Sequence, residues 1–224
     1  MSSVALFDLD NTLVDRQAAF RRWASSFVTR RGLDGDAENW LCAADDDGFA
    51  TRQELFSRAR RHLGLAEPVG DLIAEYRAGY FEHFEPDPAV LGVLDQLRRG
   101  GWRIGIVTNG PTTQREKIRR SGLGAYVDGL CISDEVGIEK PDPRIFVEAI
   151  RRCTTRQDAH GSAWMIGDTP LADIAGGRGA GLLTAWLHRG RDWSEEGFGP
   201  DVVASSVGDA VARILDITTG PPSK

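Results

Sequence analysis

The sequence of 224 residues contains few cysteines and no long hydrophobic run. Its three cysteines, Cys42, Cys131 and Cys153, are an odd number without Cys-x-x-Cys spacing, which argues against a disulfide framework or a zinc site. No stretch approaches the roughly 20 apolar residues of a transmembrane helix, and the first ten residues lack the basic and apolar segments of a signal peptide. We therefore expect a cytoplasmic protein with free, mostly buried thiols and no membrane partner.

Positive charge is outnumbered by negative charge, since 27 basic and 33 acidic residues give a formal net charge of -6. This balance argues against a nucleic-acid partner, for which clustered basic residues are expected. Of the 27 basic residues only Lys117, Lys140 and Lys224 are lysine. Where arginine is so strongly preferred, an internal lysine can mark a position that needs a compact ammonium group, although two internal lysines could also survive by chance.

Strands and helices alternate from about Val90 onward, after a first short apolar strand at 4–7. Later strands are predicted within 102–110 and at 130–133, 163–168, 182–187 and 201–206, and helices at 111–121, 142–153, 170–178 and 208–215. This alternation predicts an α/β fold, a doubly wound parallel sheet with helices on both faces.

Residues 16–85 have a different pattern, because their apolar residues recur at helical spacing with charges between them. We predict that 1–15 and 86–224 form one α/β core domain. The segment 16–85 is then a helical domain inserted after the first strand.

Polar residues of unusual type follow two of the predicted strands. Asp8 and Asp10 follow the first strand, and Thr108 and Asn109 end the second. Ligands of open parallel sheets bind at the carboxyl ends of the strands, whereas buried paired acids cost several kcal/mol unless a positive charge offsets them. Two alternatives stay open, namely solvated acids after a strand and an ordinary turn at Asn109 and Gly110.

A later strand ends at Asp168. Thr169 and Pro170 fit a helix N-cap and a first helical residue, which leaves Asp168 and Asp173 close enough to converge on one cation. Lys140 lies just before another predicted helix start. By itself it could be a solvated loop charge.

Taken together, these residue types suit phosphoryl transfer. A carboxylate nucleophile, a second carboxylate, a lysine and a hydroxyl can bind and transfer a phosphoryl group. The remaining carboxylates suit Mg²⁺, a hard cation that takes oxygen ligands. The cation would also offset the paired acids at Asp8 and Asp10.

Four segments resemble, in order and spacing, the four motifs of the haloacid dehalogenase (HAD) superfamily. They are "DLDNT" at 8–12, "TN" at 108–109, "KP" at 140–141 and "GDTPLAD" at 167–173. The resemblance implies a Rossmann-like core with a helical cap domain inserted between the first and second motifs. The stretch "TNGPTTQREKIRRSGL" is similar to the branch of capped phosphatases that includes nucleotidases and sugar-phosphate phosphatases.

The resemblance also implies a role for each residue. Asp8 would be the nucleophile that forms an aspartyl-phosphate, and Asp10 would be the general acid and base, with its backbone carbonyl on Mg²⁺. The Thr108 side chain and the backbone N–H groups of Leu9 and Asn109 would bind the phosphoryl group, and Lys140 would neutralise charge. Asp8 and Asp168 would bind Mg²⁺, and Asp173 would bind it through water or orient its ligands.

The expected substrate is a small phosphorylated metabolite of the nucleotide, sugar phosphate or phosphoglycolate class. Dehalogenases of the superfamily lack the acid at the position of Asp10, so dehalogenation is disfavoured, whereas a phosphomutase or a catalytically idle binding module stays an alternative. Lys117, on the helix after Asn109, is expected to tolerate arginine. The sequence does not predict the oligomeric state or which cap residues read the substrate, for which the candidates are Arg16, Arg21, Arg22, Trp23, Trp40 and Arg52.

Overall fold

The computed structural model describes residues 2–154 and 160–219. The chain separates into two units, Met1–Val14 with Pro86–Lys224, and Asp15–Glu85. Among the described residues, no helix is both long and apolar enough to cross a membrane.

A parallel sheet forms the centre of the first unit. Its six strands, in the order β3-β2-β1-β4-β5-β6, are β1 (Ser2–Phe7), β2 (Arg103–Thr108), β3 (Gly129–Ile132), β4 (His160–Gly167), β5 (Leu183–Leu187) and β6 (Val202–Ala204). All neighbouring strands pair in parallel, and Leu6 of β1 lies in register with Gly105 and Met165. Because β1 is covered on both faces, its apolar residues from Val4 to Phe7 are all buried.

The strand order turns back between β1 and β4. In doubly wound sheets this position is a switch point that opens a crevice at the carboxyl ends of the strands. The predicted fold class is confirmed.

The second unit is helical, as the apolar spacing indicates. It contains α1 (Arg16–Arg31), α2 (Asp36–Asp45), α3 (Arg52–His62) and α4 (Val69–Gly79), with 3₁₀ turns at Asp46–Gly48 and Tyr80–His83. The start of α3 has a capping box, in which Thr51 accepts from the Glu54 N–H and the Glu54 carboxylate accepts from the Thr51 N–H. An aromatic core around the buried Trp23 holds the helices together.

The helices of the first unit cover the sheet. They are α5 (Pro88–Arg99), α6 (Gln114–Arg120), α7 (Ser133–Val136), α8 (Pro143–Cys153), α9 (Gly176–Gly179) and α10 (Val207–Thr219), and a π-helical segment, Pro170–Ala175, leads into α9. The predicted start of α8 is confirmed, because the Asp142 side chain accepts from the Arg144 N–H at 2.9 Å. α8 buries Ile145 and Phe146 in the core against Val107.

The structure departs from two local predictions. Ser133 begins α7 instead of ending a strand. Thr169 is the N-cap residue and Pro170 the first residue of the π-helical segment, as predicted, but the Thr169 side chain makes no capping hydrogen bond. The Asp173 carboxylate accepts from the Thr169 N–H at 2.9 Å. The π-helical geometry differs from the predicted α-helix, and such segments are frequent at functional sites.

Candidate active site

Three strand ends supply the centre of the site. Asp8 directly follows β1, Thr108 is the last residue of β2, and Asp168 directly follows β4. These residues are 7%, 1% and 5% exposed. The alternative of solvated acids is therefore wrong for Asp8, and the burial of Asp8 and Asp168 requires charged or hydrogen-bonding partners.

Lys140 is the positive partner of Asp8 and of Asp173. Its Nζ lies 2.6 Å from Asp8 Oδ1 and 2.7 Å from Asp173 Oδ1, and the residue is only 5% exposed. The alternative of a solvated loop lysine is wrong.

The Asn109 side chain holds the backbone of Lys140. Its Nδ2 donates to the Lys140 carbonyl at 2.9 Å, and its Oδ1 accepts from the Lys140 N–H at 2.8 Å. This paired contact fixes the start of the lysine side chain. The sequence analysis foresaw only a backbone N–H role for Asn109, and its side chain is a further contributor to the site.

Asp173 is fully buried next to β4. Its two carboxylate oxygens bind Lys140 Nζ and the Thr169 N–H. A Cβ atom at Gly167 would overlap the Asp173 carboxylate. Only glycine at this position lets the strand end and the Asp173 carboxylate lie so close. This steric requirement explains why glycine precedes Asp168.

Burial dominates the electrostatics of the carboxylates. It raises the pKa of Asp8 to about 7, although Lys140 opposes the shift. Burial also raises the pKa of Asp168 and that of Asp173. For Lys140, burial lowers the pKa, but the negative charges of Asp173 and Asp8 outweigh that effect and the pKa is raised.

The same acids have the chemistry of a divalent metal site. One carboxylate oxygen from each of Asp8, Asp168 and Asp173 lies within 4.8 Å of the others. Oxygen ligands held by several carboxylates are what Mg²⁺ prefers. A divalent cation would also counter the burial that raises their pKa values, so this donor set fits Mg²⁺.

Two arginines after β5 also contact the metal-site candidate Asp168. Arg189 Nη1 lies 3.2 Å from Asp168 Oδ2, and Arg191 Nη2 lies 3.1 Å from that oxygen and 2.6 Å from the Asp168 carbonyl. The sequence analysis missed both residues. The signal was present, because β5 ends at the same edge of the sheet and "HRGRD" follows it directly.

Asp10 has other neighbours. Its carboxylate binds Lys117 and Gln114 of α6, so the expected metal contact of Asp10 depends on its backbone carbonyl alone. Lys117 is 7% exposed, and this buried contact with Asp10 argues against the expectation that Lys117 tolerates arginine. Both internal lysines therefore lie in this region, while Lys224 falls outside the described residues.

A tight turn at 9–14 directly follows Asp8 and contains Asp10. The Leu9 carbonyl accepts from the N–H groups of Leu13 and Val14, both at 3.0 Å. Asn11 has a φ of 62°, a left-handed conformation that asparagine tolerates better than most residues. The turn thus directs successive aspartates to different partners.

Comparison with known proteins identifies the family of the chain. The sequence profile of the haloacid dehalogenase-like hydrolases matches residues 3–181. The chain is 31% identical to the glyceraldehyde 3-phosphate phosphatase of Methanopyrus kandleri, over 97% of both chains. It is 38% identical to the pyrimidine 5'-nucleotidase YjjG of Escherichia coli, over 90% of this chain and 92% of that protein.

A crystal structure with a similar fold is that of the HAD-hydrolase YfnB from Bacillus subtilis, bound to magnesium. It superposes with a TM-score of 0.76 at 24% identity, over 97% of this chain and 99% of that one. At this level of identity the likeness concerns the fold.

Proposed function

Because the chain belongs to the haloacid dehalogenase-like hydrolases, we propose that it is a Mg²⁺-dependent phosphatase that acts on a small phosphomonoester through an aspartyl-phosphate. The observation that carries this proposal is the buried contact of Asp8 with Lys140, 2.6 Å long, at the carboxyl end of β1. A buried carboxylate next to a fixed ammonium group can receive a phosphoryl group whose charge is neutralised on transfer.

In the first half-reaction, a carboxylate oxygen of Asp8 attacks phosphorus and the bond from phosphorus to the leaving oxygen breaks. Asp10 gives its proton to that oxygen, so the product leaves as an alcohol. Lys140 and the Thr108 hydroxyl bind phosphoryl oxygens and offset their charge.

In the second half-reaction, water attacks the phosphorus of the aspartyl-phosphate. Asp10, now a carboxylate, takes the proton of that water, and the bond to the Asp8 oxygen breaks to release inorganic phosphate. Asp8 and the protonated Asp10 are thereby restored. The presence of Asp10 favours hydrolysis of phosphate esters over dehalogenation.

Asp8, Asp168 and Asp173 would hold Mg²⁺, with the backbone carbonyl of Asp10 as a further ligand. When bound, the ion supplies positive charge to the transferring phosphoryl group. The chain's own residues set the position of the carboxylates through Gly167, Lys140 and the Thr169 N–H.

We propose that the helical unit Asp15–Glu85 is a cap domain that selects the leaving group. Among its candidate residues, Trp23 is packed in the core of the unit and Arg16 is buried against Asp45 at 2.7 Å, so both are structural. Arg21 and Arg22 are exposed and are the better candidates for substrate contact. The substrate classes we propose are nucleotides, sugar phosphates and phosphoglycolate.

The test is the release of inorganic phosphate from a panel of these esters, with Mg²⁺ and with EDTA. We expect Mg²⁺-dependent release that Asp8→Asn abolishes, because an amide is a poor nucleophile. Asp134→Asn, an exposed acid on α7, is the matched control and should retain activity.

Three outcomes would point elsewhere. Substantial turnover by a well-folded Asp8→Asn protein would falsify the covalent mechanism. Transfer of phosphate between positions of one sugar, without release, would favour a phosphomutase. Absence of turnover on the whole panel would favour a binding module.

A further inference from the structure

Two side chains of α6 hold the carboxylate of Asp10. Lys117 Nζ lies 2.7 Å from Asp10 Oδ1 and 2.6 Å from Oδ2, and Gln114 Nε2 lies 2.9 Å from Oδ2. Lys117 is 7% exposed and Gln114 is 2% exposed. Both carboxylate oxygens of Asp10 are therefore engaged by donors that the fold keeps in place.

Gln114 also connects Asp10 to the end of β2. The same Nε2 lies 2.8 Å from Thr108 Oγ1, and an amide nitrogen carries two hydrogens, one for each acceptor. The Thr108 oxygen then acts as the acceptor towards Gln114. Its own hydrogen, whose contact with the Asn109 carbonyl is long at 3.4 Å, can be donated to a phosphoryl oxygen.

The other basic residues of α6 make contacts of a different kind. Arg115 binds Glu135, and Arg119 and Arg120 bind Glu116, all in exposed positions. Only Lys117 among them turns its charge inward. The Asp10 side chain is 24% exposed, so water could solvate it without Lys117, and the buried lysine is better explained by a need to fix where the carboxylate lies.

We propose that Lys117 and Gln114 are positioning residues that hold Asp10 for proton transfer in both half-reactions. This inference rests on the proposed function, in which Asp10 is the general acid and base. A misplacement of about 1 Å can cost on the order of 10²-fold in rate. Fixing both carboxylate oxygens from one short helix limits that displacement.

The test is the dependence of kcat/KM on the leaving group. Wild type and Lys117→Met are compared on a series that runs from p-nitrophenyl phosphate, with a good leaving group, to alkyl phosphates. For Lys117→Met we expect a loss of about 10- to 100-fold on alkyl phosphates and a much smaller loss on p-nitrophenyl phosphate, because good leaving groups need little protonation. Hydrolysis of the aspartyl-phosphate should also slow, which gives a burst of p-nitrophenol.

Two further variants separate positioning from folding. In Gln114→Glu the shape is retained, but the new carboxylate repels Asp10 and competes for Lys117, so the same pattern is expected. Lys117→Arg keeps a cation that can bind both carboxylate oxygens. We therefore expect it to lose less kcat/KM on alkyl phosphates than Lys117→Met does. Arg119→Met, on the exposed face of α6, should behave like wild type.

The outcomes are distinguishable. Asp10→Asn could show the leaving-group dependence while the folded variants Lys117→Met and Gln114→Glu do not. This result would overturn the inference that the two residues position Asp10, and it would leave the proposed function standing. An equal loss on all esters, with no burst, assigns Lys117 a structural role and likewise overturns it. A wild-type protein without phosphatase activity overturns both.

Discussion

Asp8 combines burial with charge in a way that couples stability to pH. Its pKa is raised from 3.8 to about 7, chiefly by burial. The folded state therefore binds the proton more tightly than the unfolded chain does. The stabilisation from this proton is complete below about pH 4 and is lost as the pH rises towards 7. Above that pH the folded protein holds a buried carboxylate that a bound cation would stabilise.

We predict that Asp8→Asn becomes more stable relative to wild type as the pH rises from 4 to 8 in EDTA. The amide cannot ionise, so the variant does not lose free energy of unfolding as the pH rises. For a chain of this size, each ~1 kcal/mol gained relative to wild type would raise Tm by about 2–4 °C. Thermal unfolding across this pH range measures the difference. A constant offset for Asp8→Asn across this range would contradict the shifted pKa.

Lys140 is enclosed by two carboxylates, which limits what can replace it. We predict that Lys140→Arg lowers kcat on the order of 10²-fold and also lowers Tm, since the broader guanidinium cannot occupy the buried point that lies 2.6 Å from Asp8 and 2.7 Å from Asp173. Steady-state kinetics and thermal unfolding check both parts. The control is Arg144→Lys, because Arg144 is an exposed basic residue at the start of α8. Equal small effects of the two substitutions would show that Lys140 contributes only its positive charge.

The junction of β4 with the π-helical segment places Asp173 against the strand. We predict that Gly167→Ala weakens Mg²⁺ binding and lowers kcat, because the added methyl group displaces the Asp173 carboxylate from Lys140 and from the Thr169 N–H. Overpacking of this kind costs about 1–3 kcal/mol of unfolding free energy. Titration calorimetry with Mg²⁺ and denaturant unfolding measure the two effects.

Gly179, the last residue of α9, is the matched control. A Cβ atom there meets nothing within 4 Å, so Gly179→Ala should leave Mg²⁺ binding unchanged. Normal Mg²⁺ affinity in Gly167→Ala would show that Asp173 is not part of the metal site.

Each of the two units contains its own core. Trp23, 1% exposed, packs in the helical unit against Phe27 at 5.0 Å, Phe56 at 5.7 Å and Tyr76 at 5.0 Å between ring centroids. The acids of the candidate metal site all belong to the α/β unit. Metal binding and the stability of the helical unit should therefore respond to different substitutions.

We predict that Trp23→Ala costs about 3–5 kcal/mol of the stability of the helical unit, as expected for a large buried aromatic residue, while Mg²⁺ binding persists. Calorimetric unfolding and Mg²⁺ titration measure the two properties. Trp40→Ala is the control, because Trp40 is only partly buried and stacks on His62 at 4.3 Å, and it should have a much smaller effect. A parallel loss of Mg²⁺ binding in Trp23→Ala would contradict the separation.

The amino-acid pattern determined the fold class, because burial of a parallel sheet requires continuous apolar strands with helices between them. It also determined which strand ends carry acids, a hydroxyl and an amide. Parallel strands bring their carboxyl ends to one edge of the sheet, so the pattern predicts that these residues lie at the same edge. The start of α8 followed equally from the sequence, since capping by Asp142 depends on immediate neighbours.

The partner of each side chain was decided only by the tertiary structure. Lys117 binds Asp10 across 107 positions of sequence, Asn109 binds the Lys140 backbone across 31, and Arg191 binds Asp168 across 23. The bias towards arginine marked both internal lysines as unusual, but helical spacing could not show that α6 turns Lys117 inward. Local patterns follow from periodicity and capping, whereas the choice among distant partners depends on how helices pack on the sheet and on which buried charges need compensation.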